Sequence, residues 1–123
     1  MTAARVYIVE EHATVRLALA DRLSHSTQLH VIGHTGKAED VIRDVREHHP
    51  DVVLVEVKRS DGMGLEILRQ LSTLATRPNL IVLTSYPSSW EREAACRAGA
   101  SSYLLKDIEP EELIRKISLI ASH

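Results

Sequence analysis

Val6-Tyr7-Ile8-Val9-Glu10-Glu11, close to the start of the chain, is a run of four apolar residues leading straight into two acids. It is too short for a helix and apolar at successive positions, the pattern of a parallel strand buried on both faces. Val15, Leu19 and Leu23 then recur every four residues, with Arg16, Asp21 and Arg22 left for the opposite side. That spacing predicts an amphipathic first helix whose apolar stripe faces the sheet.

The same unit repeats down the chain. His30-Val31-Ile32-Gly33 reads as a second strand, and Val41, Ile42 and Val45 mark a helix that ends near His48, before Pro50. Val52-Val53-Leu54-Val55 is a third strand, Asp61-Gly62 a turn, and Leu65, Leu68 and Leu71 a third helix that stops ahead of Pro78. Leu80-Ile81-Val82-Leu83 is a fourth strand. Ser88 and Glu91 have the spacing of a capping box for a fourth helix, which Gly99 ends. Ser102-Tyr103-Leu104-Leu105 is a fifth strand, and Pro110 opens a helix carrying Leu113, Ile117 and Ile120. Five strands, each followed by a helix, require crossover connections, which are right-handed. The expected architecture is an α/β, (βα)5 flavodoxin-like fold with a parallel sheet in the order 2-1-3-4-5.

The length of 123 residues suits one domain spanning 1–123, with no internal repeat, low-complexity tract or linker to suggest a second. The net charge of −2, with both signs interleaved, offers no basic face for nucleic acid. A single cysteine, no signal-peptide pattern and no bilayer-length apolar run fit a cytoplasmic protein without membrane contact. Cys96, among Ala94, Ala95 and Ala98, is expected to be a buried packing thiol. The seven histidines lack mutual ligand spacing, so no zinc site is expected. Tyr7 belongs to the core, while Trp90 is either a partner anchor or packed on its own helix.

In such sheets chemistry collects beyond the carboxyl ends of the central strands. Strand one runs into Glu10-Glu11, strand three ends at Glu56, strand four at Thr84-Ser85 and strand five at Lys106-Asp107. Carboxylates, a hydroxyl and an ammonium converging on one pocket suit a divalent cation, a phosphoryl group or both, because like charges need compensation.

On these residues the whole chain resembles the receiver domains of bacterial response regulators, particularly those attached to LuxR/NarL-type helix-turn-helix output domains. Val9-Glu10-Glu11-His12 is similar to the acidic pair of strand one, and Pro50-Asp51-Val52-Val53-Leu54-Val55 to the approach to the phosphoacceptor. Leu83-Thr84-Ser85-Tyr86 resembles the switch segment, and the stretch from Ala98-Gly99-Ala100 through Tyr103-Leu104-Leu105-Lys106-Asp107 is the most specific match. The resemblance implies that position 56 takes a phosphoryl group from a histidine kinase with Mg²⁺, which the strand-one acids position. It implies that Lys106 pairs with the acceptor, that Thr84 tracks the added charge, and that Tyr103 changes rotamer to reshape the neighbouring surface.

The departures are as informative. Glu56 stands where the family carries Asp, which moves the carboxylate outward by one C–C bond, about 1.5 Å. Glu10 and Glu11 add volume where Asp is usual, and Lys58-Arg59-Ser60-Asp61-Gly62 lacks the common Met-Pro. Mg²⁺ requires near-octahedral oxygens at about 2.0–2.1 Å, and a misplacement of about 1 Å can cost on the order of 10²-fold in a positioned reaction. The expectation is a pseudo-receiver without catalysis of its own, with no metal or only weak Mg²⁺ at Glu11 and Glu56. Glu56 would draw Lys106 and the Thr84 hydroxyl toward itself, with Tyr103 following. Expected partners are a second copy, a sensor histidine kinase or another regulatory protein, with an output domain outside this chain. A stand-alone adaptor is the alternative. A flavodoxin-like cofactor carrier is more distant, because the acidic Glu10-Glu11-His12 replaces the phosphate loop it needs.

Overall fold

The computed structural model describes residues 3–122. The strands are β1 Ala4–Val9, β2 Leu29–Thr35, β3 Val52–Val55, β4 Asn79–Thr84 and β5 Ser102–Leu105. The helices are α1 Ala13–Ser24, α2 Ala38–His48, α3 Gly64–Ser72, α4 Ser89–Arg97 and α5 Pro110–Ala121. All five strands are parallel in one sheet, ordered β2-β1-β3-β4-β5. This is the flavodoxin-like receiver architecture expected from the alternation. β2 runs two residues past the expected Gly33, because Thr35 pairs opposite Val9.

Strand alternation sorts the core into two layers. Tyr7, Val9, Val53, Val55, Leu80 and Val82 pack under α2, α3 and α4. Val6, Ile8, Val52, Leu54, Ile81 and Leu83 pack under α1 and α5. Both faces of β1, β3 and β4 are therefore buried, which is why these strands read as unbroken apolar runs. Tyr7 is in the core as expected, and its hydroxyl donates to Asp44 on α2 at 2.5 Å.

Two expectations need correction. The α1 stripe buries Leu23 and packs Leu19 partly against the core, whereas Val15 is 39% exposed. Cys96 is exposed, since α4 buries only Glu91 and Ala95 and sets its next contact at Ala98. That i, i+4, i+7 stripe leaves position 96 on the outer side. Among the described residues no helix is long and apolar enough to cross a membrane.

Candidate functional site at the carboxyl edge

Register places the first two acids side by side. Val9 of β1 is opposite Val55 of β3, so the next residues, Glu10 and Glu56, leave neighbouring strands together. The Glu56 N–H still donates to the Val9 carbonyl at 3.1 Å, and the Glu10 N–H to Thr35. The ladder thus runs one residue past each strand and holds both backbones. Both side chains are buried, at 2% and 5% exposure.

A single cation serves both. Lys106 follows β5, with its N–H held by the Thr84 carbonyl at 2.8 Å. Its Nζ donates to Glu10 Oε1 and lies 3.1 Å from Glu56 Oε1. The remaining carboxylate oxygens take backbone donors: Glu10 Oε2 accepts from the His12 N–H at 3.0 Å, and Glu56 Oε2 from the Lys58 N–H at 3.1 Å. Burial works to raise the Glu10 carboxyl, but the Lys106 and His12 hydrogen bonds outweigh it and hold Glu10 below its ordinary value. Burial likewise opposes the Lys106 charge, and the two carboxylates overcome it, so Lys106 is raised. The space left among Glu10, Glu56, Lys106, Leu19 and Leu83 is about 10 Å³, at the lower limit for one water.

The other expected members do not join this cluster. Glu11 turns to the loop after β3, where its carboxylate accepts from the Ser60 N–H at 2.9 Å and from the Ser60 hydroxyl. Glu11 and Glu56 are thus held on separate partners instead of forming a common ligand set. Thr84 is fully buried, but its hydroxyl accepts from the Tyr86 N–H at 3.2 Å and is not drawn to Glu56. Alternation explains this: Thr84 shares the face of Leu80 and Val82, whereas Glu10 and Glu56 continue the face of Ile8 and Leu54. Asp107 is exposed.

These oxygens as disposed do not fit Mg²⁺, which needs several of them converging at about 2.0–2.1 Å. An ammonium occupies the place between two of the carboxylates, and the third is committed to Ser60. No cluster of three or more His, Cys, Asp or Glu side chains suited to a metal occurs among the described residues.

Tyr103 lies on the opposite layer and is half-buried against the α2–α3–α4 core. Its hydroxyl donates to Glu91 Oε1 at 2.5 Å and accepts from the Ser88 N–H at 3.2 Å. The Arg92 guanidinium lies over its ring, 5.2 Å from the centroid. Ser88 caps α4 by accepting from the Glu91 N–H at 3.0 Å. The return half of the capping box is missing, because the Glu91 carboxylate is occupied by Tyr103 and Lys58. Lys58 and Arg59, expected only as part of a loop lacking Met-Pro, both have side-chain partners. The Arg59 side chain is almost fully buried, with Nη2 donating to the Gly36 carbonyl at 2.8 Å and pairing with Asp61. Trp90 is 68% exposed.

The chain matches the response regulator receiver domain model over residues 6–118. It is 37% identical over 115 residues to the DNA-binding transcriptional activator DevR/DosR of Mycobacterium tuberculosis, covering 92% of this chain and 52% of that protein. It is 32% identical over 109 residues to the transcriptional regulatory protein LiaR of Bacillus subtilis, covering 89% and 52%. The chain thus spans about half the length of these relatives. A LuxR-family two-component response regulator from Aurantimonas superposes with a TM-score of 0.88 at 26% identity, covering 98% of this chain and 86% of that one. The signal receiver domain of NarL from Mycobacterium tuberculosis shares the fold, with a TM-score of 0.90 at 20% identity, covering 99% and 98%. Sheet order, paired edge residues and sequence agree: the chain belongs to the response regulator receiver domain family and is similar to receivers of the LuxR/NarL type.

Proposed function

We propose that this receiver works without phosphorylation, with Glu56 at the position where the family carries its phosphoaccepting Asp. The observation that supports this is that the buried Glu56 carboxylate has both oxygens committed, Oε1 to Lys106 Nζ at 3.1 Å and Oε2 to the Lys58 N–H at 3.1 Å. The site binds Mg²⁺ weakly or not at all. Glu56 supplies a standing negative charge, and Tyr103 with the neighbouring α4 surface carries the signal to a partner. By analogy with DevR/DosR and LiaR, the output is transcriptional, through a DNA-binding domain outside this chain, in the cytoplasm. Partners are a second copy of the chain and a sensor kinase or another regulator, and the domain has no catalytic activity of its own.

The test is intact mass after incubation with a small-molecule phosphodonor and Mg²⁺. Wild type should stay unmodified, and a stoichiometric phosphate adduct at Glu56 would overturn the reading. Glu56→Asp alone should restore little acceptance, because Glu10 keeps Lys106 and Ser60 keeps Glu11.

A further inference from the structure

Glu91 is a carboxylate on a helix that buries little else, and it is itself only 6% exposed. A carboxylate so placed needs partners for its charge and its oxygens. It has one for each oxygen: Tyr103 Oη at 2.5 Å on Oε1 and Lys58 Nζ at 2.6 Å on Oε2. Lys58 comes from the loop after β3, Tyr103 from β5, and Glu91 from the first turn of α4. Three elements that share few other polar contacts therefore meet at one carboxylate.

Lys58 also faces the other way. Its backbone N–H donates to Glu56 Oε2 at 3.1 Å, so one residue touches both the acidic cluster and, through Glu91, the tyrosine on the opposite layer. The Tyr103 hydroxyl in turn accepts the Ser88 N–H, the donor that the Glu91 side chain would take in a complete capping box. We propose that Lys58 is a positioning residue for Tyr103: its ammonium holds the Glu91 carboxylate turned inward, and Glu91 fixes the tyrosine hydroxyl against the start of α4. The geometry stands whether or not position 56 is phosphorylated; only its bearing on signalling rests on the function proposed above.

A buried carboxylate that loses its cation is left uncompensated and turns toward solvent, which moves the group that accepts the Tyr103 hydrogen bond. The Lys58 side chain is 38% exposed, and the partner of its ammonium among the described hydrogen bonds is Glu91. Arg92 stacks over the Tyr103 ring but donates nothing to Glu91 among the described hydrogen bonds, and so does not replace Lys58.

The experiment uses the intact chain with ¹³C-labelled tyrosine rings and compares wild type, Lys58→Met, Lys58→Arg and Glu91→Gln by NMR. The chain has three tyrosines, Tyr7, Tyr86 and Tyr103, and Tyr7, bound to Asp44 in the other half of the sheet, reports on the fold. Lys58→Met and Glu91→Gln should both shift the Tyr103 signal and leave Tyr7 in place, and Lys58→Arg should restore the wild-type position. A Tyr103 signal unmoved in Lys58→Met would overturn the proposal. Should Lys58→Met move Tyr7 as well, showing loss of the fold, Glu91→Asp decides: it keeps the charge but withdraws it by one bond, and an unmoved Tyr103 there would overturn the proposal. The phosphodonor test reads Glu56 independently, so either reading can fail alone.

Discussion

The ammonium of Lys106 and the carboxylate of Glu10, separated by 96 positions in the chain, are bonded at the edge of the sheet, and the same ammonium lies 3.1 Å from Glu56. One positive charge thus balances two buried negative ones. Lys106→Met would leave the two acids facing each other without a cation. Removing one partner of a buried ion pair costs about 3–5 kcal/mol, and urea unfolding at neutral pH should show a loss in that range. A loss below about 1 kcal/mol, the value of a solvated pair, would mean that water does the balancing.

Acid should weaken the fold through the same residue. Glu10 has its pKa lowered from 4.5, so its contribution to stability is present above pH 4.5 and fades as pH falls through its depressed native value. Thermal unfolding followed from pH 7 downward should show stability declining below about pH 4.5. Glu10→Gln should flatten that decline without abolishing it, because Glu11, held by Ser60, and Asp61, held by Arg59, are also lowered. An unchanged acid profile in Glu10→Gln would contradict the assignment.

Gly64, at the start of α3, has no room for a side chain. A Cβ there would sit 2.0 Å from the Val57 carbonyl oxygen, which is backbone and cannot swing away. Gly64→Ala should therefore force the loop after β3 outward at a cost of about 1–3 kcal/mol or more. Gly62, which has φ +71 but open space around it, lacks this steric block. Denaturant midpoints that rank Gly64→Ala as neutral would be inconsistent with this packing.

Tyr103→Phe deletes one hydroxyl and strands two groups, the Glu91 carboxylate oxygen and the Ser88 N–H. The Glu91 oxygen is buried and its loss of a partner costs about 1–3 kcal/mol, while the exposed Ser88 N–H can turn to water; Ser88→Ala, which removes only the cap, should cost about 1 kcal/mol. The pair should be non-additive, since both act on the first turn of α4. A double-mutant cycle returning simple additivity would separate the tyrosine from the cap.

Much of this was legible in the chain itself. Val52-Val53-Leu54-Val55 is buried on both faces and reads so, and the acids that follow such strands meet because parallel register is set by the same apolar runs. The pairing of Lys106 with Glu56 was implied by the family resemblance, not by strand order, since β4 lies between their strands. What escaped reading depends on side-chain direction at the edge. Thr84 is on the layer opposite to Glu10 and Glu56, and a one-residue parity is hard to assign where a strand is about to end. Glu91 fitted a capping box by spacing, and only the approach of the loop after β3 converts it into a partner for Lys58. Cys96 was misplaced because alanine neighbours imply burial, whereas the stripe of α4 passes through Glu91, Ala95 and Ala98.

The outward position of Cys96 has a practical side. It is the chain's one thiol, it is exposed, and it lies on the same helix as Glu91 and as the chain's one tryptophan, Trp90. A thiol-reactive dye therefore attaches at a single point, with the indole less than two turns back as its energy-transfer donor on a helix whose first turn is pinned by Ser88. A second, engineered thiol on α1 would turn the same handle into a ruler for the displacement of α4, with no native cysteine to remove first.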